Sequence, residues 1–236
     1  MKKYYALETN GKEADIYIFG DITSWEWFEN DVSSYTLSKE LQELGKDKDI
    51  ETINVHINSY GGEVAEGLAI YNMLRNHKAK VRTYCDGFAC SIASVIFMAG
   101  DERIMNAASL LMVHNAWMYT AGNAEKLRKD ADDLDKITQA SIEAYKSRVN
   151  ITEEKIKELL DNETWILPSE ALEMGFATSI VGESINDKAA ASARKALFNL
   201  VKNANESNLK PNLNSIQKQE PPKENKPQKF IAALFR

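Results

Sequence analysis

From Ile50 to Ile57 apolar and polar residues alternate, with Ile53, Val55 and Ile57 on one side, the pattern of a half-buried strand. The spacing then changes. Val64, Leu68, Tyr71 and Leu74 fall on one face of a helix over 64–75, and Asn58–Val64, with its Gly61-Gly62 pair, makes the turn between. The next segment repeats the plan: a β-rich run at Lys80–Cys85, a turn at Gly87, then small and apolar residues from Ala89 to Gly100 without a charge. A helix that apolar all round belongs inside the molecule. Upstream, Asp15–Ile22 reads as a first strand ended by Gly20, after a loose polar lead-in over 1–15; a short amphipathic helix over 37–44 stops at Gly45. Downstream, Arg103–Met105 and Ser109–His114 read as short strands. The longest helix is predicted over 123–149, where Leu127, Ala131, Leu134, Thr138, Ser141 and Tyr145 form a seam at alternating spacings of four and three. Thr152 caps another helix with Glu153 and Glu154 in its first turn, Pro168 opens the helix Ser169–Met174, Gly175 closes it, and Phe176–Val181 is a last strand. Repeated strand–turn–helix units with short connections predict an α/β fold with a parallel sheet and crossover helices.

Composition narrows the class. The 236 residues are 44% hydrophobic and 27% charged, ordinary values for a globular protein. No apolar run approaches the ~20 residues that cross a bilayer, and Met1–Tyr5 has no signal-peptide core, so a cytoplasmic protein with no membrane partner is expected. Net charge is −6, unevenly placed: from Ala189 onward there are nine Lys/Arg against three Asp/Glu, leaving the preceding body strongly acidic. An acidic body argues against nucleic acid as the main partner. All eleven glycines precede residue 183 and four of the five prolines follow residue 210, which sets the expected domain at 1–187. A C-terminal helix within 188–202 and a disordered basic tail over 203–236, ending in the apolar Phe230–Phe235, are expected after it. Trp25 and Trp27 make an unusually aromatic loop suited to covering a core edge or an oligomer contact. Cys85 and Cys90 and the three histidines lack metal-ligand spacing, so no metal is expected.

Acyl transfer by serine needs a nucleophile, a base, an orienting acid and oxyanion donors. Ser91 is the candidate nucleophile, placed where a strand meets a helix N-terminus with its unpaired N–H groups. On that stretch alone it reads equally as a small residue at a crowded helix start. His114 ends an apolar strand, whereas His56 lies within one and His77 sits in a basic segment. Gly61-Gly62 offers free N–H groups and room for a substrate backbone. Cys90, as a helix neighbour of Ser91, is expected to point into the core.

Ile57-Asn58-Ser59-Tyr60-Gly61-Gly62, the Gly87–Gly100 stretch, Leu111–Asn115, Glu163-Thr164-Trp165 and Glu170–Phe176 follow one another in an order that resembles the Clp serine peptidase family over residues 15–183. Within it they are similar to the head maturation proteases of tailed phages and prophages. The resemblance implies an α/β, ClpP/crotonase-like spiral of βαβ units with a long handle helix. It implies Ser91 as nucleophile, His114 as base, and the N–H groups of Gly62 and Ile92 as oxyanion donors. Glu163 stands where housekeeping members carry Asp, with Asp161 as its rival for the acid. Tyr60, which replaces the family's Pro, borders the substrate with Gly61 and Asn115. A polypeptide substrate, a homo-oligomeric ring (a heptamer or double ring), a possible capsid or scaffold protein as partner, and no cofactor also follow from the resemblance. The readings beside it are a housekeeping Clp peptidase fed by an ATPase, a non-catalytic ring-forming assembly protein, and an acyl-CoA enzyme of the crotonase superfamily.

Overall fold

The computed structural model describes residues 8–25, 28, 31–47 and 50–182, all in the unit Met1–Glu183. The helix expected within 188–202, the tail over 203–236 and Trp27 lie outside the described residues. Trp25 is among the most exposed side chains described. Strands β1 (Glu8–Asn10) and β2 (Glu13–Ile18) form an antiparallel hairpin, where a loose lead-in was expected. The polar sequence of β1 hid it, because an edge strand this short is held by backbone pairing with no apolar alternation to mark it. Helix α1 (Ser34–Asp47) buries Leu37, Leu41 and Leu44, the three positions its spacing predicts, and begins where Ser33 Oγ accepts the Thr36 N–H at 3.1 Å.

Strand β3 (Thr52–Ser59), helix α2 (Val64–Arg75), strand β4 (Lys80–Cys90), helix α3 (Ile92–Phe97) and strand β5 (Glu102–Asn106) are the two successive βα units and the strand that follows them. Strand β6 (Leu110–Val113), helix α4 (Ala124–Lys146), helix α5 (Glu153–Asp161), strand β7 (Thr164–Ile166), helix α6 (Pro168–Met174) and strand β8 (Ser179–Val181) complete the unit. The sheet runs β1-β2-β3-β4-β5-β8, parallel from β2 onward, so the α/β class and parallel sheet are as expected. Ile16, Ile18, Ile53, Val55 and Ile57 join Ile70 and Leu74 of α2 and the five apolar residues of α3 in one core.

Strand β4 differs from its sequence reading. It does not end at Gly87; it bends there and continues to Cys90. Cys85 pairs with Ile57 of β3 but Ala89 pairs with Ser59, so two extra residues are absorbed at the bend. Asn58 fills the bend and accepts the Phe88 N–H at 3.1 Å; a Cβ on Gly87 would stand 2.4 Å from that same oxygen. Glycine serves here as a bulge, which in sequence looks the same as a turn. The bend divides β4 between two neighbours: Arg82–Cys85 pair with β5 and Phe88–Cys90 pair with β6, whose other side pairs antiparallel with β7.

The seam on α4 is buried only toward its end. Leu127 and Ala131 are exposed, Leu134, Thr138 and Ser141 half-buried, and Tyr145 fully buried. The first half of α4 therefore presents an apolar edge outward, anchored by Asp130, which accepts from Thr120 and Lys126 at 2.5 Å each.

At the far end of α3 three guanidinium groups converge on chain carbonyls. Arg103 donates to the carbonyls of Phe176 (2.8 Å), Gly100 (3.1 Å) and Gly175 (3.1 Å), Arg148 to those of Met98 (3.3 Å) and Gly100 (3.0 Å), and Arg75 to that of Ala99 (3.3 Å). Cations suit the negative end of a helix and its orphan carbonyls. Burial first, then the neighbouring charges of Arg148 and Arg75, push the Arg103 guanidinium down to about 10.

Candidate active site

Sheet register brings three side chains together. Cys90 of β4 pairs with Met112 of β6, and the Ser91 N–H donates to the Met112 carbonyl at 2.8 Å, so Ser91 and His114 leave adjacent strands side by side. Val113 of β6 pairs with Thr164 of β7 at the end of that antiparallel ladder, so His114 leaves it and Glu163 enters it at the same end. His114 Nε2 and Ser91 Oγ lie 2.7 Å apart.

Ser91 and Glu163 are also the two non-glycine residues, among those described, with positive φ: +54° and +46°. Such conformations cost of order 1–3 kcal/mol each and persist where the surroundings enforce them. For Ser91, with ψ of −129°, the strain turns the chain sharply from β4 into α3 and lifts its hydroxyl out of the sheet.

Burial holds His114 below its ordinary pKa, while the charge of Glu163 pulls the other way. A neutral imidazole beside a hydroxyl is the state that can accept a proton. Among the described residues Glu163 makes no hydrogen bond to His114; its effect is electrostatic. The rival acid is engaged elsewhere, since Asp161 Oδ1 accepts from Asn115 Nδ2 at 2.8 Å.

Gly61 and Gly62 run beside this junction. A Cβ on Gly61, at φ +105°, would stand 2.7 Å from Ser91 Cβ and 3.3 Å from the Ile92 nitrogen. Around Gly62 the chain bridges to Ile22, which donates to the Gly61 carbonyl (2.9 Å) and accepts the Glu63 N–H (2.7 Å). In a parallel bridge the middle residue's own N–H points to the opposite side, so that of Gly62 faces away from Ile22. The Ile92 N–H opens α3 and has no intrahelical acceptor. Neither N–H has an acceptor among the described residues. A Gly62→Ala variant would set its Cβ 2.0 Å from the Ile22 carbonyl oxygen. It is expected to lose about 2–4 kcal/mol of stability in denaturant unfolding, because the obstacle is backbone that cannot swing aside.

Tyr60 is exposed and packs edge-on against Phe88 (5.7 Å between centroids), which packs in turn on Trp165 (5.5 Å). Cys90 ends β4 and so is not the helix neighbour expected. It is buried as expected, and burial pushes its thiol up to about 12, which leaves no reactive thiolate. Ser94 and Tyr145 carried no site signal in the sequence, although Ser94 is the single hydroxyl in an otherwise apolar helix. No group of metal-ligating side chains occurs among the described residues, and no helix there is long and apolar enough to cross a membrane.

Fold and junction together define an α/β protein with a serine and a histidine paired at the ends of neighbouring parallel strands. The family model for Clp protease matches residues 12–184. The ATP-dependent Clp protease proteolytic subunit of Deinococcus radiodurans is 32% identical over 136 residues, 57% of this chain and 67% of that protein. Its namesake from Borrelia garinii subsp. bavariensis is 27% identical over 172 residues, 72% of this chain and 85% of that protein. The chain belongs to the Clp protease family.

Proposed function

We propose that the protein is a serine endopeptidase. Ser91 attacks the peptide carbonyl, His114 takes its proton and returns it to the leaving amine, and the N–H groups of Gly62 and Ile92 hold the oxyanion. The observation that carries this reading is the 2.7 Å pairing of His114 Nε2 with the hydroxyl of a backbone-strained serine. Glu163 supplies negative charge behind the imidazole and stabilises the imidazolium that forms as Ser91 gives up its proton. Tyr60, Gly61 and Asn115 border the bound peptide, and the outward edge of α4 is the surface by which subunits assemble into a ring. The test is covalent labelling by a fluorophosphonate probe: labelling of the wild type and none of Ser91→Ala supports the reading. An assembled wild-type protein that does not label would instead be a non-catalytic assembly protein.

The pH dependence follows from the same geometry. The base works only when neutral, so kcat/KM rises with pH along a limb whose midpoint lies below the ordinary imidazole value of 6.5. Glu163→Gln removes the charge that raises the His114 pKa, so the limb moves to still lower pH. Its plateau falls by less than the ~10⁴-fold loss that accompanies replacement of an acid hydrogen-bonded to the imidazole. A pH–rate profile of the two proteins reads both effects.

The substrate we propose is scaffold or capsid protein in phage head assembly, cleaved without an ATPase. The resemblance of Glu163-Thr164-Trp165 and its surroundings to head maturation proteases supports it. The relatives' description as ATP-dependent proteolytic subunits favours a second reading, a peptidase fed by an unfoldase. Cleavage of unfolded chains and scaffold protein by the protein alone supports the first. Cleavage of folded substrates only with an ATPase and ATP supports the second.

A further inference from the structure

Ser94 is fully buried, and its hydroxyl has two partners: the Ser91 carbonyl at 2.5 Å and the Tyr145 hydroxyl at 2.8 Å. A serine hydroxyl has one proton. Ser94 gives it to the carbonyl, so the Tyr145 O–H must donate to Ser94 Oγ. Burial pushes the Tyr145 phenol up, which keeps that proton in place. The Ser94 N–H also donates to the Ser91 carbonyl, at 3.0 Å, so this one oxygen is gripped twice.

The gripped carbonyl belongs to the peptide unit whose other end is the Ile92 N–H. That unit is planar, with its C=O and N–H pointing in opposite directions. Fixing the carbonyl therefore fixes the direction of the N–H, at a serine whose own dihedrals, φ +54° and ψ −129°, do not favour the conformation. We infer that Ser94 and Tyr145 are positioning residues: through the Ser91–Ile92 peptide they aim the Ile92 N–H at the developing oxyanion. Tyr145 lies in the last turn of α4, so the inference also ties the long helix to the transition state. It rests on the serine peptidase reading above.

Tyr145→Phe removes the O–H and keeps the ring that packs on Phe176 with centroids 5.7 Å apart. Losing an oxyanion donor outright costs about 10²- to 10³-fold in kcat. Here the donor is misaimed and not lost, so kcat toward a fluorogenic peptide should fall by about tenfold, with KM unchanged. A peptide boronate, whose tetrahedral adduct places an oxygen where the oxyanion forms, should lose the same factor in affinity, while a cleaved product peptide should bind as before. Ser94→Ala should give the same kcat and boronate losses. The double variant should be no worse than Ser94→Ala, since Tyr145 acts only through Ser94.

Wild-type kcat and boronate affinity in a folded Tyr145→Phe or Ser94→Ala protein would overturn the inference. So would equal losses in boronate and product binding, which is what general loosening of the site would produce. Should Tyr145→Phe not fold, Ser94→Ala carries the same comparison. A wild type that neither hydrolyses peptide nor labels at Ser91 removes the peptidase reading and this inference with it. An active wild type matched by its variants removes the inference alone.

Discussion

His114→Ala is expected to lower kcat toward a fluorogenic peptide by about 10⁴- to 10⁶-fold, the scale at which a Ser–His unit fails when its base is removed. Among the described residues no other imidazole or thiol is free to take over. His56 is stacked between Tyr17 and Tyr84 with its Nδ1 2.7 Å from Asp86, and the His77 ring accepts the Ala79 N–H at 3.0 Å. Cys90, though adjacent to Ser91, keeps its proton to about 12. The fold should survive, because the His114 ring is half-buried and its one hydrogen-bond partner is the hydroxyl of the half-buried Ser91. Steady-state kinetics with a melting curve measures both. Retention of a tenth or more of the activity would mean that Ser91 is not activated by His114.

The second large effect is structural and lies at the opposite end of α3. Arg103→Met should cost about 2–4 kcal/mol in denaturant unfolding. Arg103 is 6% exposed, and its loss leaves the buried carbonyl of Phe176 and the part-buried carbonyl of Gly175 without their donor. The Gly100 carbonyl keeps Arg148. Two terms oppose the loss: methionine refills much of the volume, and removing one of three crowded cations relieves the repulsion that lowers the Arg103 pKa. Both are smaller than the desolvation penalty of two orphaned acceptors. A measured loss below about 1 kcal/mol would mean that Arg75 and Arg148 shift to cover them.

The alternation at Ile53, Val55 and Ile57 made β3 legible, and one-sided spacing did the same for α1 and α4. In α2 the spacing located the helix but not its deepest face: Gly67, Ile70 and Leu74 are buried while Val64, Leu68 and Tyr71 are half-buried. Glycine contributes nothing to a hydrophobic count, so a helix that approaches its neighbour at Gly67 looks rotated in sequence. Ser91 and His114 were each legible as candidates, a hydroxyl where a strand meets a helix and an imidazole ending an apolar strand, and their pairing was implied by the family resemblance. The place of Glu163 beside His114 was not legible from spacing, because it depends on the register of β6 with the three-residue strand β7, which has no pattern of its own. Ser94 and Tyr145 lie 51 positions apart, and a lone hydroxyl in an apolar helix gives no hint of which distant residue will answer it.

The β6–β7 pairing has one more consequence. The chain leaves the site at His114 and returns to it at Glu163, at the same end of that ladder. Everything between, α4 and α5 included, is in effect the loop of a single oversized hairpin. Loop closure depends only weakly on loop length. The excursion can therefore lengthen, shorten or change its outer surface while its ends stay clasped, provided the turn of α4 bearing Tyr145 keeps its seat against α3. Such a chain can remodel the outer face of the excursion without dismantling the Ser91–His114 pairing at the clasp.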